Sequence, residues 1–119
     1  MFIERPDERF RTRMHARHDA MTVHALMMIF RFTQSDAESA VAQMMGELPA
    51  QIRDRAGHED PTSLAARIAG KSPTDLTKEP YIDLVKRYDL EVRPNFELEA
   101  LDDYNTHIKP KYDKLKYGG

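Results

Sequence analysis

The apolar positions in the first third of the chain fall on a helical spacing. Phe10, Met14, Arg17, Met21, His24, Met28 and Phe32 are separated by steps of four and three, which places them on one stripe of an α-helix. The stripe is apolar except at Arg17 and His24. A second stripe, Val23, Leu26, Met27 and Phe30, joins it in the later half, so the run from Val23 to Phe32 is apolar over most of its circumference. Pro6 suits the first turn of this helix, and Asp7 and Glu8 complement its positive end. A helix that is apolar all round belongs in a core or at an interface between chains. The pattern predicts one long N-terminal helix over 10–32, surface-lying as far as Ala20 and needing cover from Met21 onward.

The remaining chain offers short covers. Ser35 and Glu38 stand at capping-box spacing, which starts a second helix at Asp36 with Ala37, Ala40, Val41, Met44, Met45 and Leu48 on its apolar face. Gly46 and Pro49 punctuate it, and a short piece from Ala50 to Ala56 stops at Gly57. Asp60-Pro61 is a cap followed by a first-turn proline, and opens a helix with Leu64, Ala65, Ile68 and Ala69 that Gly70 closes. Ser72-Pro73 repeats the device, with Asp75 at the capping-box position and a single turn through Leu76. Glu79-Pro80 begins a helix whose face is Tyr81, Leu84, Val85 and Tyr88. Pro94 breaks that pattern, and Asn95 is placed to cap a last helix carrying Phe96, Leu98, Leu101, Tyr104 and Ile108. Pro110 is expected to end regular structure.

No stretch alternates with period two, and the Asn-Gly and Asp-Gly signals of hairpins are absent. The fold class predicted is all-α: a small bundle of five or six mostly short helices around one long N-terminal helix, with an irregular C-terminal tail. Residues 1–109 form a single helical domain in this reading, and residues 110–119 a flexible or partner-docking basic/aromatic tail.

Composition narrows the function classes. At 119 residues, 40% of them hydrophobic and 32% charged, the chain has room for one modest core. It has no cysteine, which excludes thiolate catalysis, disulfides and Cys-ligated metal sites and suits a reducing cytoplasm. The apolar run is too short to span a bilayer, and the charged start MFIERPDERF is not a signal peptide. A cytoplasmic protein without membrane contact is expected.

The net charge of −2 is unevenly spread. Residues 1–33 carry six basic and four acidic groups, 34–60 two and six, 61–103 six and nine, and the last sixteen residues four lysines against Asp113. That is far from the basic footprint of a dedicated nucleic-acid binder.

Candidate chemistry is thin. His15 and His18 share a helix face and can offer two ligands to a metal, but HExxH or an equivalent is missing, so a metal-binding protein at His15/His18 ranks third among the readings. Leu64 to Leu76 resembles a helix-turn-helix, an Ala-rich helix and a glycine turn before a capped second helix. In that alternative a DNA-binding regulator uses residues 63–79, with Lys71, Thr74, Thr77 and Lys78 against the nucleic acid. Asp75 and Glu79 beside them oppose phosphate, so nucleic acid is not favoured.

The tail interleaves Lys109, Lys111, Lys114 and Lys116 with Tyr112, Leu115 and Tyr117, a pattern that suits docking on an acidic surface. No strained nucleophile turn, phosphate loop or dinucleotide fingerprint occurs, so no enzyme and no cofactor are expected. The leading expectation is a small helical protein–protein interaction module, an adaptor, inhibitor or accessory subunit, oligomeric or bound to a protein partner. Its partner-binding residues are Met21, Leu26, Met28, Ile29 and Phe32 on the Met-rich helix and Lys111, Tyr112, Lys114 and Tyr117 on the tail.

Overall fold

The computed structural model describes residues 6–116 and is all-helical over them. Helix α1, Pro6–Phe30, runs for 25 residues, about 37 Å at the usual rise. It is the axis on which the rest is hung, and the molecule measures 54 × 30 × 23 Å. Around it lie α2 (Gln34–Gly46), α3 (Ala50–Ala56), α4 (Pro61–Ile68), a 3-10 turn (Pro73–Thr77), α5 (Ile82–Glu91), α6 (Arg93–His107) and α7 (Lys109–Lys116). The described residues thus hold seven α-helices, one or two more than the pattern predicts. The helix not expected is Lys109–Lys116, whereas the short piece Ala50–Ala56 lies where the sequence places it.

Chain punctuation explains most boundaries. Asp60 caps α4 by accepting from the Thr62 amide at 2.9 Å, with Pro61 at the first helical position. Ser72 and Asp75 form the expected capping box at the 3-10 turn, Asp75 Oδ2 accepting from the Ser72 amide at 3.0 Å. Gly70, at φ 76°, closes α4. The Lys71 and Gly70 amides there donate back to Ala66 and Arg67, at 2.8 and 3.1 Å, the paired bonds of a Schellman ending.

Two capping expectations are corrected. Thr33, not Ser35, caps α2, its hydroxyl accepting from the Asp36 amide at 3.1 Å. Asn95 does not cap α6: that helix starts at Arg93, so Asn95 is already inside it and its amide reaches back to the Glu91 carbonyl at 3.4 Å. Pro94 lies in the first turn of α6, where its missing N–H costs nothing, and only Val92 separates α5 from α6. Pro110 takes the same position in α7 and so opens a short helix instead of ending regular structure.

The core is a single layer around the second half of α1. Ala25, Leu26 and Ile29 are fully buried there. Ala37, Val41 and Met45 meet them from α2, Leu64, Ala65 and Ala66 from α4, and Tyr88 from α5. The four-residue spacing of the α2 set is the sequence pattern realised in space. Alanine on both neighbours lets α2 and α4 approach the axis closely. Helices α2, α4, α5 and α6 all pack on α1. Met21–Phe32, which needs cover by its pattern, finds it within the fold, because α5 and α6 fold back along α1 as a pair.

Candidate functional site

The charged residues that look out of place on the apolar stripe of α1 find partners on α6. Asp103, 8% exposed, accepts from Arg13 Nε at 2.8 Å and from both terminal nitrogens of Arg17 at 3.3 Å. His107 Nε2 stands 4.0 Å from the same carboxylate. The Arg17 side chain is 13% exposed, so this contact is largely removed from water. Phe10 and Tyr104 bracket it in an edge-on ring contact with centroids 6.4 Å apart, and His24 lies tilted on Phe96 at 5.6 Å farther along. Arg17 and His24 are thus the two polar members of the stripe because they face α6.

The histidine cluster is spent on structure. His18 is buried, against the expectation of a solvated face, because α4 and the loop before it cover this side of α1. Its Nε2–H donates to the Glu59 carbonyl at 2.7 Å, and its buried Nδ1 has no hydrogen-bond partner among the described residues. Arg53 of α3 reaches Asp19 at 2.8 Å and the His15 carbonyl at 3.4 Å. Burial pushes the Asp19 carboxyl above the ordinary carboxylate range, although the charges of Arg53 and His18 pull it back. No group of three or more metal-ligating side chains occurs among the described residues.

A second polar centre joins α4, α5 and α6. The Arg93 guanidinium donates to Asp89 at 2.9 Å and to Asp60 at 3.2 Å, and lies 5.3 Å from the Tyr88 ring centroid. Burial acts to raise the Asp60 carboxyl, but the hydrogen bonds from Thr62 and the Arg93 charge outweigh it, and the net direction is downward. Tyr88, completely buried, donates its hydroxyl to the Met21 carbonyl at 2.9 Å, and burial pushes its phenol well above the usual range. The arrangement binds helices to one another.

The expected partner residues separate into several groups. Leu26 and Ile29 are core residues, 0% and 1% exposed, and their place at an interface is corrected: α2, α4 and α5 already cover them. Met28 and Phe32 are half-buried against the same core. Met21 is half-buried beside Phe96 and Ala100, along a shallow groove. Lys111 and Lys114 are exposed on α7. Tyr117 lies outside the described residues, as does the side chain of Tyr112.

For the nucleic-acid alternative, Lys71, Thr74, Thr77 and Lys78 are all exposed. The second helix of the motif, however, is a 3-10 turn of five residues. A single tight turn gives no length of α-helix to lay in a major groove, which speaks against that reading.

The apolar surface that is open lies elsewhere. On α6, Phe96, Ala100, Asp103 and His107 share one face, of which Phe96 and Asp103 contact α1; Leu98 and Leu101 stand one turn apart on the opposite face, 66% and 56% exposed. Leu90 on α5 is 79% exposed. Exposed Glu97, Glu99 and Asp102 flank the leucines. In the sequence, Leu98 and Leu101 look like two more apolar positions of a core-facing helix.

Comparison of the chain with protein-family models, with curated proteins and with solved structures finds no match. Among the described residues, no helix is long and apolar enough to cross a membrane.

Proposed function

We propose that the protein is a helical protein–protein interaction module of the cytoplasm, without catalysis of its own, whose contact surface is the outward face of α6. The observation that carries this reading is the exposure of Leu98 and Leu101 one turn apart on a helix whose opposite face meets α1 through Phe96 and Asp103. Helix-in-groove and helix-on-helix recognition both read such i, i+3 apolar anchors. The flanking Glu97, Glu99 and Asp102 favour a partner segment with basic residues around its own apolar positions.

Magnitudes set the strength of the contact. Burying Leu98 and Leu101 contributes roughly 4 kcal/mol, close to the lower limit of what association costs. A regulated, reversible complex of an adaptor or accessory subunit fits that balance better than a permanent one. The Met-rich half of α1 supplies the scaffold in this reading, since Leu26 and Ile29 are occupied inside the fold.

The test is a double variant, Leu98→Glu with Leu101→Glu, which leaves the core untouched. The untagged protein and the variant are purified side by side from the native host, with solution mass measured by light scattering. A partner or second copy held by the native protein and lost from the variant supports the reading. Equal recovery and equal mass for both rule out α6 as the contact surface.

A further inference from the structure

At the Phe30 end of α1 the chain makes two left-handed turns, and they are built differently. One is Gly70, at φ 76°, where glycine has no side chain to clash. The other is Arg31, at φ 60°, immediately after α1. A side-chain-bearing residue pays about 1–2 kcal/mol for that conformation, and arginine is not among the residues that relieve it. The Phe32 amide donates to the Leu26 carbonyl across this turn at 3.1 Å, which holds the backbone in place. Backbone strain kept at one position is a reason to ask what the side chain there does.

The side chain belongs to the rim of a groove of about 490 Å³ between the end of α1, the segment after α4 and the start of α5. That volume lies within the range of small-molecule sites. Phe30, Phe32, Tyr81 and Leu84 give it an apolar wall, with the Phe30 and Tyr81 rings 5.2 Å apart and inclined at 45°. Arg31 and Lys71 are exposed along it, and neither makes an ion pair among the described residues. Asp83, the acidic lining residue, lies in the first turn of α5, where the helix end favours its charge. α6 is not part of this groove, so the site is independent of the proposed protein contact.

We infer that this groove binds a small amphipathic anion, with an aromatic or acyl body on Phe30, Tyr81 and Leu84 and a carboxylate- or sulfonate-type head between Arg31 and Lys71. Two cations with no ion pair among the described residues, against the single carboxylate of Asp83, stand beside a mainly apolar wall, which is complementary to a ligand of that kind and to neither a neutral hydrocarbon nor a simple ion. Lys71, assigned to nucleic acid in the sequence alternative, has its place here.

The probe is anilinonaphthalenesulfonate, titrated into the full chain and followed by fluorescence, with uncharged phenylnaphthylamine as its counterpart. Arg31→Gly keeps the left-handed backbone and removes the guanidinium; Lys71→Ala removes the second charge; Arg31→Lys restores a cation. The expected result is saturable, salt-sensitive binding of the sulfonate, weakened about fivefold or more by Arg31→Gly and by Lys71→Ala. Arg31→Lys should stay near the native affinity, and the uncharged probe should be indifferent to all three changes. Leu98→Glu with Leu101→Glu should also leave sulfonate binding unchanged. The inference is overturned if the native protein does not bind the sulfonate, if both charge-removing variants bind it as tightly as the native chain, or if only the α6 variant loses it.

Discussion

Arg17 and Asp103 meet 86 residues apart in the chain, with guanidinium nitrogens 3.3 Å from the carboxylate and both side chains nearly out of water. This contact fixes the rotation of α1 against α6, because only one register puts the arginine on the acid. Such a pair is weak evidence for stability, since desolvating two charges offsets their attraction, but removing one partner alone is costly. Asp103→Ala should therefore destabilise the protein by about 3 kcal/mol, read from urea unfolding. The double replacement Arg17→Met with Asp103→Leu should recover most of that loss. A double variant as unstable as Asp103→Ala would show that the pair contributes more than its register.

Tyr88 offers a finer measurement. Its ring fills the space between α5 and α1, and its hydroxyl is a second donor to a carbonyl inside a helix. Tyr88→Phe should cost about 1 kcal/mol, and Tyr88→Ala about 3–5 kcal/mol through the cavity. Equal losses in the two variants would mean that the hydroxyl, not the ring, holds α5 in place.

Arg31 gives a prediction of the opposite sign. Arg31→Gly should raise stability by up to about 1 kcal/mol, seen as a higher urea midpoint with an unchanged slope. A loss of stability would mean that the arginine side chain supports the fold and that its backbone conformation carries no cost.

The acid limb of stability should depend on Asp60. Its carboxyl lies below the ordinary aspartate value of 3.8 in the folded state, so the carboxylate contributes stability above that value and loses the contribution as pH falls through the folded-state value. Asp60→Asn keeps an oxygen to cap α4 but not the charge for Arg93. The native protein should exceed the variant in stability near neutral pH, and the gap should close as pH falls below about 4. Asp19 shifts the other way, but it is common to both proteins and cancels in the comparison. A gap that stays constant over the whole range would assign the difference to the cap geometry and not to ionisation.

How far the sequence carried can be judged from particular residues. The helix starts at Asp60-Pro61 and Ser72-Pro73 were legible because the capping chemistry is local. The long helix was legible from its period. What was not legible was which helices close over it. Leu26 and Leu98 are both leucines on helical stripes, yet one is 0% and the other 66% exposed. The difference arises from the single-residue link at Val92 and from where Asp103 comes to lie, neither of which any local window contains. Arg17 on the apolar stripe was a hint of the α6 contact, since a charge on a core-facing position needs a buried counter-charge.

The axial place of α1 has a bearing on how the molecule comes apart. α2, α4, α5 and α6 each lean on the same 25 residues, and α2 has no neighbour of comparable extent besides α1. Such a layout leaves little room for half-folded species in which one flank survives without the axis. Amide protons from Thr22 to Ile29 would then exchange with solvent only when the whole chain opens, while α3 and α7, at the periphery, fray long before. Any event that bends the middle of α1 is in consequence felt by every other helix at once.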